Sequence, residues 1–374
     1  MRLTLSSITF AERLSALSKV FNSKNTMPIL NCYLFEVNNN QLKITASDSE
    51  NVMTTILDLE ACDSEGTFAV TNKTILDAVR ELPEQPLTLE VDLTTYAIKV
   101  IYQNGIYNFT GQSGDEFPRP QELSDTAAAI TLDAKTLSND ISHSIFATAN
   151  EELRPVMNGI YFDITPEHLA IVASDGHKLV RTRNKSIKSE TPMSFILPKK
   201  PANLLKNVLS KNEDDVIIRF DDRNACISFA EGTLSCRLIE GRYPNYNSVI
   251  PQDNPNELTL DRNVLVGVLR RVLPFASDSS QQIRLHLEMG KIIISSEDID
   301  FYTSAKEEIT CDYSDNTMDI GFKGTSLMEI LNNLDCNEVL LQLADPSRPC
   351  LILPATQEEN EDVLMLIMPM LLND

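Results

Sequence analysis

The residues best suited to chemistry lie together at Ser174-Asp175-Gly176-His177, where a hydroxyl, a carboxylate and an imidazole fall within four positions. These are the groups of a hydrolytic relay, but a relay requires the three side chains to align in space, and adjacency along the chain does not arrange this. A turn carrying a polar binding residue is the simpler account. The other histidines, His143, His168 and His286, are separated from one another and form no zinc-ligand spacing with cysteine. Neither a phosphate-cradling G-x-x-x-x-G-K-[ST] nor a nucleophile elbow G-x-S-x-G occurs. The run Glu358-Glu359-Asn360-Glu361-Asp362 reads as a solvated acidic loop, with divalent-ion binding as the alternative. Seven cysteines, odd in number and never in a C-x-x-C pair, read as reduced packing residues. No catalytic residue, metal or cofactor is assigned.

The chain's bulk properties narrow the class further. Its 374 residues exceed one ordinary core, so two or three domains are expected. With 32 Lys and Arg against 54 Asp and Glu, the net charge of −22 repels nucleic acid and anionic membrane in bulk. No apolar stretch is long enough to cross a bilayer, and the segment MRLTLSSITFAERL carries charge where a signal peptide has its apolar core. A cytoplasmic protein with no membrane partner is expected.

Internal repetition supplies the elements that position these residues. Leu3-Thr4-Leu5, Ile130-Thr131-Leu132 and Leu258-Thr259-Leu260 open three similar segments, their threonines 127 and 128 residues apart. Each is followed by apolar residues at helical spacing, such as Phe10, Leu14 and Leu17 in the first. The triplet Ala46-Ser47-Asp48 recurs as Ala173-Ser174-Asp175, again offset by 127, so the repeat holds its register through its turns. Within each third, strand, helix and further strands appear twice, and Asn104-Gly105 marks a hairpin between two of them. The pattern predicts six β-α-β-β-β units in three domains, 1–125, 126–252 and 253–374, with an α+β architecture of antiparallel sheet and helices on one face.

The charge divides along the same lines. Six helical windows, 7–24, 73–82, 134–150, 199–211, 262–273 and 323–334, carry +9 in 82 residues, which leaves −31 on the other 292. A basic helical face on an acidic body can attract a phosphate backbone locally, although exposed helices also carry Lys and Arg for solubility.

Motifs in all three parts now identify a family. Met27-Pro28-Ile29-Leu30, Ser174-Asp175-Gly176-His177-Lys178-Leu179, Gly241-Arg242-Tyr243-Pro244 and Met368-Pro369-Met370, set in the threefold repeat, resemble the bacterial DNA polymerase sliding clamps, the β subunits of DNA polymerase III. The resemblance covers essentially the whole chain. It implies a DNA clamp fold and a head-to-tail homodimer, a six-domain ring with helices inside and sheets outside, through which double-stranded DNA passes without sequence preference. A protein that slides must avoid base contacts, each worth about 1–3 kcal/mol, and use diffuse cations instead. The resemblance assigns DNA-facing roles to Lys24, Lys73, Arg80, Arg154, Lys199 and Lys200, with Arg270 and Arg271 added; Arg270 facing an adjacent carboxylate is the alternative.

The resemblance also implies a surface pocket for a short partner peptide with glutamine and hydrophobic anchors. Its matching positions are Met157, Ser174, Gly176, His177, Lys178, Leu179, Pro244, Ser248, Val249, Leu366, Met368, Pro369 and Met370. Lys178 and Ser248 depart from the commoner arginine, and the chain ends Leu371-Leu372-Asn373-Asp374, differences that bear on peptide preference. At the dimer contact, Tyr107 and Phe109 on an edge strand meet the partner subunit's Leu273 and Phe275. Implied partners are the DNA polymerase III catalytic subunit, an ATP-driven clamp loader, and other polymerases and repair proteins that carry the binding motif. Two rival readings stand beside this one: a monomeric repeat scaffold that binds proteins by its acidic face, and a hydrolase centred on His177.

Overall fold

The computed structural model describes every residue except 23, 24, 26, 211, 212, 373 and 374. Among the described residues there are six α-helices: α1 (Ser7–Ser18), α2 (Asn72–Val79), α3 (Ala134–Ile145), α4 (Lys199–Leu209), α5 (Arg262–Val272) and α6 (Gly324–Asn332). Each follows one strand and precedes three, giving six β-α-β-β-β modules over 2–58, 66–110, 128–184, 193–237, 256–310 and 318–367. The helices are shorter than the apolar windows suggested, since α1 stops at Ser18 and α3 at Ile145. Local chemistry sets helix starts, as at α1 and α5, where the Ser6 hydroxyl accepts from Thr9 N–H and the Asp261 carboxylate accepts from Val264 N–H at 2.9 Å. Each of these helices buries one stripe, Phe10, Leu14 and Leu17 in α1 and Leu265, Val268, Leu269 and Val272 in α5.

The chain divides into two compact bodies. The first, Met1–Ser138 with Lys200–Leu238, holds two antiparallel sheets. One has five strands in the order Ala61–Cys62, Arg2–Ser6, Pro86–Val91, Ala97–Tyr102, Gly105–Thr110. The other has eight: Ala128–Asp133, Asp215–Phe220, Asn224–Phe229, Gly232–Arg237, Asn51–Asp58, Gln41–Ser47, Cys32–Asn38, Gly66–Thr71. The second body, Asn139–Lys199 with Ile239–Asp374, holds a nine-stranded and a four-stranded sheet. The nine run Met193–Pro198, Gly159–Ile164, Leu169–Ser174, Lys178–Asn184, Glu361–Ile367, Cys350–Pro354, Glu338–Leu343, Asn256–Asp261, Asp312–Tyr313, and the four run Thr303–Thr310, Lys291–Asp298, Gln282–Glu288, Met318–Lys323.

Two pairing rules generate this layout. Consecutive modules exchange first strands: Arg2–Ser6 pairs with Pro86–Val91 of the next module, while Gly66–Thr71 pairs back with Cys32–Asn38. The same exchange recurs in the other two thirds. Last strands then join modules three apart. Asn51–Asp58 of module one pairs with Gly232–Arg237 of module four, from Asn51 opposite Cys236 to Thr55 opposite Gly232. Lys178–Asn184 of module three pairs with Glu361–Ile367 of module six, from Lys178 opposite Ile367 to Asn184 opposite Glu361. The last strands of modules two and five, Gly105–Thr110 and Thr303–Thr310, remain at sheet edges.

Candidate functional site

The tetrapeptide Ser174–His177 forms the turn between strands Leu169–Ser174 and Lys178–Asn184. Ser174 Oγ donates to the Lys178 carbonyl at 2.9 Å and accepts from Gly176 N–H at 3.1 Å. Asp175 Oδ1 accepts from the N–H groups of His177 and Lys178, both at 2.9 Å. The backbone turns left-handed at Gly176, with φ of +90°, which glycine adopts without strain. Hydroxyl and carboxylate are thus spent on shaping a turn, and no serine–histidine–aspartate relay forms.

The rim cation is likewise held. Lys178 Nζ donates to Asp175 Oδ2 at 2.7 Å and stands 3.2 Å from Glu329 on α6. Burial by itself lowers the ammonium's pKa, but Asp175 and Glu329 outweigh it and hold the pKa above its ordinary value. On the other side, burial pushes the Asp175 carboxyl up, and its bonds from Lys178 and the two amides bring it below the usual range. Glu329 lies far along the chain from Lys178, and nothing in the sequence pointed to it.

Beside this turn the chain end supplies an apolar floor. Met368 N–H donates to the His177 carbonyl at 2.8 Å, and Leu179 pairs across the strands with Leu366. Leu179 and Leu366 are buried in one cluster with Tyr243, Tyr246, Ile250 and Leu351, against which Val156 packs. Tyr161 lies parallel to Tyr243 with ring centroids 4.7 Å apart. Met157, next to Val156 in the short turn Pro155–Asn158, is buried, whereas Val249 and Met368 are 51% and 37% exposed. Pro244 and Ser248 are exposed, and Ser248 Oγ donates to the Asn245 carbonyl at 2.7 Å. Beyond Met368, Met370 N–H donates to the Gly321 carbonyl and ties the tail to the four-stranded sheet of the same body. All thirteen positions that the resemblance assigns to the pocket lie in this second body. An apolar floor, exposed methionine and a polar rim suit the apolar side chains of an extended peptide. The stacked tyrosines Tyr161 and Tyr243 belong to this floor too; the Gly241–Pro244 motif flagged only the second.

The cations assigned to DNA fall into two groups. Lys73 and Arg80 on and after α2 are exposed, the second beside Asp77 and Glu81, and Arg270 is exposed on α5. Others are already engaged. Arg154 grips Glu151 through two bonds of 2.9 and 3.0 Å, and Arg271 grips Glu307 through bonds of 2.8 and 2.6 Å. Among the described residues it is Arg271, not Arg270, that is seen paired with a carboxylate. Lys199 Nζ donates to Asn150 Oδ1 at 2.9 Å, and burial together with Lys178 lowers its pKa. Lys200 belongs to the first body, where its ammonium donates to Asp48 Oδ2 and to the Val20 carbonyl, each at 2.5 Å. Lys24 lies outside the described residues.

Tyr107 and Phe109 stand half-buried on the edge strand Gly105–Thr110, with the hydroxyls of Tyr107 and Tyr102 3.1 Å apart. Leu273 and Phe275 form the short turn that follows α5, and Phe275 is 40% exposed. The other open edge, Thr303–Thr310 in the second body, is an interface candidate that sequence reasoning did not name. Its polar alternation, with Lys306, Glu307 and Glu308 in a row, hid an edge strand.

Three family models cover nearly all of the chain: the DNA polymerase III beta subunit N-terminal domain matches residues 1–121, the central domain 131–245 and the C-terminal domain 247–371. The beta sliding clamp of Haemophilus influenzae is 26% identical over 369 residues, spanning 98% of this chain and 99% of that protein. That of Pseudomonas putida is 26% identical over 373 residues, spanning 99% and 100%. Among solved structures, the sliding clamp of Bartonella birtlesii bound to griselimycin superposes with a TM-score of 0.91 at 25% identity, and that of Pseudomonas aeruginosa bound to griselimycin with 0.93 at 23%, each covering 100% of both chains. Among the described residues no helix is long and apolar enough to cross a membrane.

Proposed function

We propose a mode of action for this chain, which belongs to the DNA polymerase III beta subunit family and is a DNA polymerase processivity clamp: two copies close head to tail around duplex DNA, and partners dock by a peptide in the pocket built on Leu179, Leu366 and Met368. The observation that carries this reading is the pair of open edges. Last strands join modules one with four and three with six, so the rule leaves module five to pair with module two of another copy. Each edge exposes six to eight residues of unpaired backbone, an invitation to add a strand. Tyr107 and Phe109 would then face the partner subunit's Leu273 and Phe275.

Retention on DNA comes from encirclement, so the cations need only be few and diffuse. Lys73, Arg80 and Arg270 remain the candidates for backbone contact, while Arg154, Lys199, Lys200 and Arg271 are engaged within the protein itself. With Ser174 and Asp175 committed to a turn, the chain acts without catalysis, in the cytoplasm, and relies on an ATP-driven loader for opening. The pocket serves the DNA polymerase III catalytic subunit and other polymerases and repair proteins in turn. The griselimycin complex of the Bartonella birtlesii relative supports a ligand site on this fold.

Negative-stain electron microscopy over a dilution series tests the closure. Closed rings with a central hole are expected at high concentration. Crescents at every concentration would favour a monomeric scaffold that binds proteins by its acidic face.

A further inference from the structure

In both junctions made within the chain, the turn that leads into the odd module's last strand rests on the C-terminal end of its partner strand. The Glu50 carbonyl accepts from Arg237 N–H at 3.0 Å, and the His177 carbonyl accepts from Met368 N–H at 2.8 Å. The equivalent turn of module five, 299–302, has no such partner among the described residues. It carries Ile299, Phe301 and Tyr302 at 73%, 76% and 94% exposure. Three bulky side chains on one hairpin tip keep apolar surface in water, with none of the described residues covering it. The end of α5 lies on the same side: Ser296 Oγ, two residues before the strand ends, donates to the Val272 carbonyl at 2.7 Å, and Phe275 follows directly after.

The junction rule places this tip at the Thr110 end of the open strand Gly105–Thr110 in another copy. At that end the first body has a shallow groove of about 870 Å³ in which Met1, Leu93 and Phe109 lie among the charged Arg2, Glu90 and Lys99, with Leu93 36% exposed. We propose that hairpin 299–302 is an anchor for a second copy of this chain, seating Phe301 and Tyr302 against the partner subunit's Leu93 and Phe109. The anchor presupposes the head-to-tail dimer proposed above and supplies what strand pairing lacks. Backbone bonds along a short edge fix register but accept any strand, whereas two aromatic rings on Leu93 and Phe109 within a polar rim select their partner and slow dissociation.

A paired variant, Phe301→Ser with Tyr302→Ser, tests it by sedimentation velocity over a dilution series of the full chain. The dimer dissociation constant is expected to rise at least about tenfold. Leu93→Ser on the opposite surface should give a similar rise, and the combined variant should fall short of the product of the two, because both remove one contact. Thermal unfolding at a dilution where both chains are monomeric should stay at the parental value, since the tip is exposed in the single chain. A parental dimer with an unchanged constant in the tip variant, or strictly multiplicative effects, would overturn the anchor and leave the dimer standing. A parental chain that stays monomeric at high concentration would instead remove the dimer, and the anchor with it.

Discussion

The turns at Ser47–Asn51 and Ser174–Lys178 start from one triplet and share one backbone design. In each, the serine oxygen accepts from the N–H two residues on, at 3.1 Å, and the aspartate accepts from the N–H three residues on, at 2.7 and 2.9 Å. In each, the residue after the aspartate is left-handed, Ser49 at +81° and Gly176 at +90°. They part at the second carboxylate oxygen. Asp48, only 6% exposed, takes the Asn51 amide and the ammonium of Lys200, which arrives from far along the chain. Asp175, 22% exposed, takes its own neighbour Lys178, and Gly176 and His177 stay open to solvent. One local device thus becomes a buried latch where a distant cation completes it, and the rim of a binding surface where a local cation does.

The largest expected effect comes from removing the two carboxylates in turn. Asp48→Ala removes a buried anion that accepts from the Asn51 amides and pairs with the partly exposed Lys200, and should lower stability in urea by about 3 kcal/mol. Asp175→Ala should lose only about 1–2 kcal/mol, because Lys178 keeps Glu329 and the turn is half in water. Equal losses would break the distinction between latch and rim. A smaller effect separates the left-handed residues. Gly176→Ala should cost about 1–2 kcal/mol in the same titration, as its new Cβ meets both a disfavoured φ and the Arg154 guanidinium 3.2 Å away. Ser49→Gly should change stability by no more than about 0.5 kcal/mol, relieved strain offsetting a looser unfolded chain.

The smallest effect is on pH dependence. The Asp175 pKa is depressed in the folded chain, so its contribution is complete above the unfolded value near about 3.9 and fades as pH falls through the folded value. Amide exchange of residues 175–178 should therefore be flat above about pH 5 once corrected for intrinsic rates, with protection declining only in stronger acid. A decline centred near neutrality would implicate a different group.

The two turns were legible as repeats because a triplet offset by 127 is visible without any structure. Their difference was not, because a sequence does not say which carboxylate a lysine reaches: Lys199 and Lys200 are adjacent, yet one bonds Asn150 and the other Asp48. The six modules could be read from strand and helix periodicity, while the two-residue strands Ala61–Cys62 and Asp312–Tyr313 were too short to show any period. The pocket positions came from motif resemblance alone. Glu329 and Tyr161 join that site only through folding. In the third repeat the Ala-Ser-Asp triplet is absent, so the exposed turn at Ile299–Tyr302 gave no warning that it occupies a matching place.

The exchange of last strands amounts to counting in steps of three: module one meets four, three meets six, and five meets what would be the eighth. Such a rule is met by any whole number of two-module domains, whether they are joined end to end in one chain or divided among several. Backbone hydrogen bonding is therefore indifferent to how many chains complete the circuit. In the proposed closed circuit the number of chains is then fixed by something other than ladder bonds, and a substitution that changed it would leave every strand pairing intact.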